Sequence, residues 1–362
     1  MSVSARRVTR LSAWENPICS QAAPRLREMG RVCSAGMKGE PKASEDEPAA
    51  ETRLLLAHRD LWDDARVAFL GAPASEARWL DAPRAVYLSG TEGGTPGADF
   101  ERAVVYLPKG RRRRDYLIAY AGALSQTLIV VGQKRAGIKS ATKQLATLGA
   151  IQETAHGSHC QLASLQLSER QPLPQLDEWV AEFEARGLRL VTLPGVFCDG
   201  RLDDGSDLLL EHLVLPDQGT LLDLGCGAGA LGLWAKRQHP SLCVTLSDVD
   251  ELSVESARRS AQRNELDVRC VRSDVYSALD ERFDVIVSNP PFHQGVDTHY
   301  EVTRRIIGEA PAYLAAGGEL WLVANHFLPW REPLEAHFGR VDLVHASNRF
   351  KIWRARLPET TP

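Results

Sequence analysis

The sequence predicts an α/β protein made of two doubly wound, mostly parallel sheets in tandem, the second with seven strands and ending in an antiparallel hairpin. Three observations predict it. Short continuous apolar runs rich in β-branched residues alternate with helical stretches in both halves, as expected of strands buried on both faces. A proline-containing polar stretch, Glu169-Arg170-Gln171-Pro172-Leu173-Pro174, separates the halves. The second half opens with a strand that runs into glycines and then a helix, Leu222-Asp223-Leu224-Gly225-Cys226-Gly227-Ala228-Gly229. Open α/β sheets bind ligands at such strand ends.

The elements follow in order. Residues 1–50 carry Arg6, Arg7, Arg10, Arg25, Arg27 and Arg31, then Glu45-Asp46-Glu47, with little apolar periodicity. They are expected to be a disordered extension, and they lack the apolar stretch of a secretory signal. Residues 51–168 are the first domain. Strands are predicted at 66–71, 85–90, 103–109 and 127–132, helices at about 112–124 and 140–148, and late strands at 152–156 and 161–167. Residues 169–200 are expected to be a linker with a connecting helix over about Leu176 to Ala185.

Residues 201–362 are the second domain. A short helix is predicted from Asp207 to Leu213. Strands follow at Leu221–Leu224, Cys243–Ser247, Val268–Val271, Phe283–Ser288 and Glu319–Ala324. Helices are predicted at about Ala230–Gln238, Glu251–Asn264, His299–Leu314 and Trp330–His337. Arg340–His345, a turn at Ser347-Asn348 and Arg349–Leu357 form the closing hairpin. The halves look duplicated. Phe69-Leu70-Gly71-Ala72 stands where Asp223-Leu224-Gly225-Cys226 stands, and Val105-Tyr106-Leu107-Pro108 where Val287-Ser288-Asn289-Pro290 stands. The first copy lacks both the glycine cluster and the asparagine, so it has kept the fold and lost the chemistry.

Composition narrows the function. A length of 362 residues suits two domains, and 44% hydrophobic with 25% charged residues is ordinary for a globular chain. A net charge of -4 gives no global basic field, so any nucleic-acid contact must come from local patches. Cys19, Cys33, Cys160, Cys198, Cys226, Cys243 and Cys270 show no C-x-x-C spacing. That argues against zinc ribbons and thioredoxin-like chemistry, calls for no metal, and suits reduced thiols in a cytoplasm. No apolar run approaches the roughly 18 residues of a membrane span.

The run Val287-Ser288-Asn289-Pro290-Pro291-Phe292-His293 carries the chemistry. Two prolines end the preceding strand and fix a stiff turn at its carboxyl end. The Asn289 amide oxygen and the Pro290 carbonyl can each accept one hydrogen from an exocyclic amine, while Phe292 can stack on a flat base. His293 is a possible proton acceptor, although a turn histidine is more often polar surface.

The glycine cluster fits G-x-G-x-x-G/A with Ala230 in the last place, so a dinucleotide remains a competitor. Acids at three successive strand ends favour S-adenosylmethionine. Asp223 can hold an ammonium group and would repel a pyrophosphate. Asp248 can take ribose hydroxyls, in either cofactor. Asp274 can accept from an adenine amino group. Asp250 reads as a helix cap. Gly225, Gly227 and Gly229 allow close backbone approach.

These residues resemble the class I methyltransferases that act on amino groups of bases. Leu193–Cys198, Leu202–Leu210, Asn289–His293, Gly317–Asn325 and Arg349–Ala355 are similar to the bacterial small-subunit ribosomal RNA methyltransferase C family. The similarity covers about residues 52–357. It implies two Rossmann-like methyltransferase domains in tandem, the N-terminal one degenerate and positioning RNA, the C-terminal one catalytic. It also implies methylation of a guanine N2 in 16S rRNA by a monomer in the cytoplasm, with Phe197 near the cofactor. Lys109, Arg111, Arg112, Arg113 and Arg114 are the densest basic run, and Lys134, Arg135, Lys139 and Lys143 a second cluster; both are candidates for gripping phosphates. The alternatives are a 23S rRNA guanine, a protein glutamine amide, a nicotinamide-linked oxidoreductase and a non-catalytic ribosome-binding protein. Carbon-5 pyrimidine methylation is disfavoured, since no cysteine lies in 287–293 to attack the ring.

Overall fold

The computed structural model describes residues 47–73, 76–80, 84–88, 100–197, 200–291 and 297–359. The expected extension at 1–50 therefore lies almost wholly outside the described residues, as do Phe292 and His293. The first domain contains α1 (Ala50–Leu56), β1 (Val67–Leu70), β2 (Ala85–Leu88), β3 (Arg102–Tyr106), α2 (Arg111–Leu124), β4 (Thr127–Gln133), α3 (Ile138–Leu145), β5 (Gly149–Gly157) and β6 (Cys160–Leu167). Its sheet order is β2-β1-β3-β4-β6-β5; the first four strands are parallel and the last two antiparallel.

The predicted connecting helix at 176–185 is a correction. Only Leu176–Trp179 form a 3-10 turn, and the rest is a hairpin of β7 (Ala181–Ala185) and β8 (Leu188–Thr192). Two signals decide it. Glu182 and Glu184 are exposed while Ala181, Phe183 and Ala185 are partly covered, a period of two. Arg186 and Gly187 both take positive φ, 51° and 76°, as a two-residue hairpin turn requires.

The second domain contains α4 (Asp204–His212), β9 (Gln218–Leu224), α5 (Ala230–Gln238), β10 (Ser241–Asp248), α6 (Glu251–Arg263), β11 (Arg269–Arg272), β12 (Phe283–Ser288), α7 (Asp297–Tyr313), β13 (Leu314–Asn325), α8 (Arg331–His337), β14 (Arg340–Ala346) and β15 (Phe350–Arg356). The order is β11-β10-β9-β12-β13-β15-β14, parallel up to β13 and closed by the antiparallel β15–β14 pair. Each central strand feeds both faces. Leu221, Val285 and Val287 join one core, and Leu222, Leu224 and Ile286 the other. That explains why these strands read as unbroken apolar runs.

β2-β1-β3-β4-β6-β5 repeats β10-β9-β12-β13-β15-β14 in order and direction. The copies differ at the functional end. Gly71 and Gly225 both leave their strands at positive φ, 71° and 74°. A side-chain carbon on Gly71 would meet the Tyr106 carbonyl oxygen at 2.8 Å, whereas one on Gly225 would meet nothing within 4 Å. The first mouth is filled and the second open. Only residues 89–101 join β2 to β3, while 249–282 join β10 to β12 and carry α6 and β11.

The β7–β8 hairpin packs on the second domain. Along its outer edge, β8 and the residue after it are hydrogen-bonded to a stripe of α6 side chains. Asn264 Oδ1 accepts from Arg189 N at 3.0 Å, Ser260 Oγ from Val191 N at 2.8 Å, and Ser256 Oγ from Leu193 N at 3.0 Å. Four helical residues rise about 6 Å and two strand residues about 6.6 Å, so the two periods match. Among the described cysteines, Cys160, Cys226 and Cys270 are free thiols.

Candidate active site

The carboxyl ends of β9, β10, β11 and β12 open on a cleft of about 590 Å³. Its walls include Phe197, Gly225, Gly227, Asp248, Asp274 and Asn289. The glycine loop is pinned from behind. Gly225 N and Cys226 N both donate to the Ser247 carbonyl, at 2.8 and 2.9 Å, and Gly227 N donates to Asp248 Oδ2 at 3.0 Å. Asp248 Oδ1 accepts from Asp250 N at 2.9 Å. Burial raises the Asp248 carboxyl above its ordinary range, although these amides pull it back down.

Gly225 and Gly227 border the cleft, and neither carries close neighbours where a Cβ would stand. Gly229 does not border it. A Cβ there would press on Leu246, Leu233 and Ala257 at 3.1–3.3 Å. Predicted as a cofactor glycine, Gly229 instead lets α5 seat on the core.

Asp223 sits deeper. It is buried, accepts from Gly232 N at 2.8 Å through Oδ2, and lines a small cavity behind the glycine loop that also touches Phe197, Ser206 and Asn289. Burial pushes its carboxyl up to about 7. Asp274 lies at the opposite end, where both its oxygens accept from Arg305 Nη1 at 3.0 and 3.1 Å. An exposed pair of this kind is worth about 0–1 kcal/mol, so the carboxylate can still be shared with a ligand. Asp250 is the cap it was predicted to be, accepting from Leu252 N at 3.2 Å. Phe197, 55% exposed, overhangs the cleft beside Gly227, and Val249, 59% exposed, offers it an apolar surface.

Asn289 follows β12 directly, with Pro290 and Pro291 beside it on the cleft wall. Its Nδ2 donates to Asp203 Oδ2 at 3.0 Å and to Ser206 Oγ at 2.8 Å. No described residue donates to its Oδ1. Sequence reasoning missed both partners. Asp203 is the N-cap of α4, accepting also from Gly205 N and Ser206 N at 2.9 and 3.1 Å, and it starts the helix three residues before the predicted Asp207. The signal was an aspartate followed by a serine ahead of an apolar run. Arg349 and Phe350 complete the rim, with the guanidinium 5.1 Å over the ring and paired to Asp204.

The basic run divides. Lys109 and Arg111 are exposed. Arg112 donates to the Trp179 carbonyl. Arg113 donates to the Pro194 carbonyl at 3.4 Å, lies 3.8 Å from Asp250 and packs on Gly195. Arg114 is buried and bonds Asp115 at 2.8 and 2.9 Å. Predicted to face RNA, Arg112, Arg113 and Arg114 face the protein, because the run forms the first turn of α2 and a helix presents successive residues to different sides. Lys134, Arg135, Lys139 and Lys143 are exposed, the last two one helical turn apart on α3.

Residues 187–354 match the family described as Methyltransferase small domain, and residues 64–183 the one described as Methyltransferase small domain N-terminal. A ribosomal RNA small subunit methyltransferase C from Ectopseudomonas mendocina is 42% identical over 267 residues, 72% of this chain and 81% of that one. One from Pseudomonas paraeruginosa is 43% identical over 269 residues, 73% and 81% of the two chains. Among solved structures, the T. thermophilus 16S rRNA N2 G1207 methyltransferase in complex with AdoMet and guanosine superposes with a TM-score of 0.70 at 29% identity, covering 86% of this chain and 94% of that one.

Proposed function

The chain belongs to the ribosomal RNA small subunit methyltransferase C family, and from that premise we propose that it methylates the exocyclic N2 of a guanine in 16S rRNA. The donor is S-adenosylmethionine, the cofactor held by the T. thermophilus relative, whose target is G1207. The corresponding guanine is the target proposed here. The observation that carries the reading is Asn289, whose Oδ1 is an acceptor unengaged among the described residues, at the tip of β12 beside an open glycine turn.

The cofactor, when bound, supplies an electrophilic methyl group on a sulfonium. Asp223 would answer its ammonium group, Asp248 the ribose hydroxyls and Asp274 the adenine amine, with Gly225 and Gly227 leaving room and Phe197 and Val249 packing on it. Asn289 Oδ1 and the Pro290 carbonyl would each accept one N2 hydrogen and aim the nitrogen lone pair at the methyl position. Positioning of this kind is worth up to about 7–11 kcal/mol in ideal cases. The same acceptors hold the proton that becomes acidic as the N–C bond forms and leaves to solvent. Phe292 is assigned the stacking role, as in other enzymes that act on an extruded base. Lys109, Arg111, Lys134, Arg135, Lys139 and Lys143 would hold phosphates. The reading makes the protein a cytoplasmic monomer; no described helix is long and apolar enough to cross a membrane.

The test is transfer of labelled methyl from S-adenosylmethionine to small subunits, large subunits or release factor, followed by mass-spectrometric mapping. Label on one guanine N2 of 16S rRNA is expected, with most transfer lost in Asn289→Ala and cofactor binding kept. Label on 23S rRNA or protein, or an equally active Asn289→Ala, overturns the reading.

A further inference from the structure

We propose that Asp203 and Ser206 are positioning residues for methyl transfer, holding the Asn289 amide in the one orientation that presents an acceptor to the target amino group. The inference rests on the reading of Asn289 given above and extends it to the start of α4. The two ends of a side-chain amide have nearly the same shape and opposite hydrogen-bonding character. Turned over, Asn289 would offer its NH2 to the NH2 of the substrate, donor against donor.

The structure resolves that ambiguity from behind. An ionised carboxylate only accepts, so Asp203 Oδ2, 3.0 Å away, admits the nitrogen end of the amide and refuses the oxygen end. Ser206 Oγ, at 2.8 Å, takes the second hydrogen of the same nitrogen. Both donor sites of the amide are then used, and Oδ1 is left pointing the other way.

The clamp is itself held. Asp203 Oδ2 also accepts from Gly205 N and Ser206 N, so the group that orients Asn289 is the group that starts the helix. Gly205 lies against the Phe350 ring, where a Cβ would come within 3.2 Å of it. Asp204 is fixed by Arg201 at 2.9 Å and by Arg349. The acceptor is thus set before substrate arrives, so no reorientation has to accompany reaction.

Asp203→Ser separates positioning from structure. Serine caps a helix about as well as aspartate, but its hydroxyl ends one bond short of Asn289. Thermal unfolding close to wild type, unchanged cofactor affinity by calorimetry and unchanged KM for small subunits are expected, with kcat down about a hundredfold. Ser206→Ala, which removes one of two anchors, should lower kcat about tenfold by the same argument. On an Asn289→Ala background neither substitution should lower kcat further, because the group they orient is gone. Wild-type kcat in Asp203→Ser, or losses that multiply on the Asn289→Ala background, overturns the inference while leaving the reading of Asn289 intact. Full activity of Asn289→Ala alone overturns both.

Discussion

Asp223 is a carboxyl group that binds a proton near neutrality. Burial raises it to about 7, far above its unfolded value of about 3.9. The folded state therefore holds the proton more tightly than the unfolded chain. The stability this contributes is complete below about pH 4 and is lost as pH rises to about 7. An ammonium group arriving beside Asp223 favours the charged form, so binding should expel the proton. Affinity for S-adenosylmethionine should rise from about pH 6 and level off above about pH 8. Calorimetry in buffers of different ionisation heat should show proton release below pH 7; a flat profile would remove Asp223 from the ammonium site. The glycines make a second pair of expectations. Gly225→Ala adds a Cβ where a ligand would lie, so it should lose cofactor affinity with about 1–2 kcal/mol of left-handed strain. Gly229→Ala adds the same strain and also presses on the core, so it should lose more stability and less affinity. Denaturant unfolding read beside calorimetry separates them. The acids and the asparagine were legible because each sits within two residues of the end of a strand. Asp203 and Ser206 were not, since their partner lies more than 80 residues away and spacing says nothing about such a contact.

At the level of elements, the β7–β8 hairpin was the part the sequence hid. Phe183 between two glutamates has the period of a strand, but Leu176, Trp179, Val180 and Phe183 gave an equally good helical face. What selects the hairpin is tertiary, since the α6 stripe supplies β8 with the partners that a third strand would have given. Ser260→Ala leaves the Val191 amide buried and unpaired, a cost of about 1–3 kcal/mol. Faster hydrogen exchange at Val191 and Leu193 should accompany it. Because Leu193 leads to Gly195 and Phe197, cofactor affinity should fall as well. Exchange unchanged from wild type would show that the stripe is incidental. The central parallel strands were legible, as burial on both faces leaves their middles largely apolar.

Over the whole molecule, sequence alone runs together basic residues that reach solvent and basic residues that bond the protein itself. Charge reversal at Lys109, Arg111, Lys139 and Lys143 should weaken binding to 16S rRNA and lower its salt slope by about 1 per lost phosphate contact, without changing cofactor affinity. Arg113→Ala should do the opposite, loosening the loop that leads to Phe197 and lowering cofactor affinity while the salt slope stays put. Filter binding across a salt series, beside calorimetry, tells them apart. An Arg113 variant that altered only RNA binding would return that residue to the nucleic-acid surface. Run length and charge marked the segment as basic, but only the turn of α2 decides which arginines reach solvent.

The short link at 89–101 has its own consequence. It is too brief to hold a counterpart of α6 and the outermost strand, so the first lobe lost the ground on which a nucleoside would rest. Rewriting its glycines and planting an asparagine would produce a doorway with no room behind it. Single substitutions cannot supply such length, because none of them adds residues.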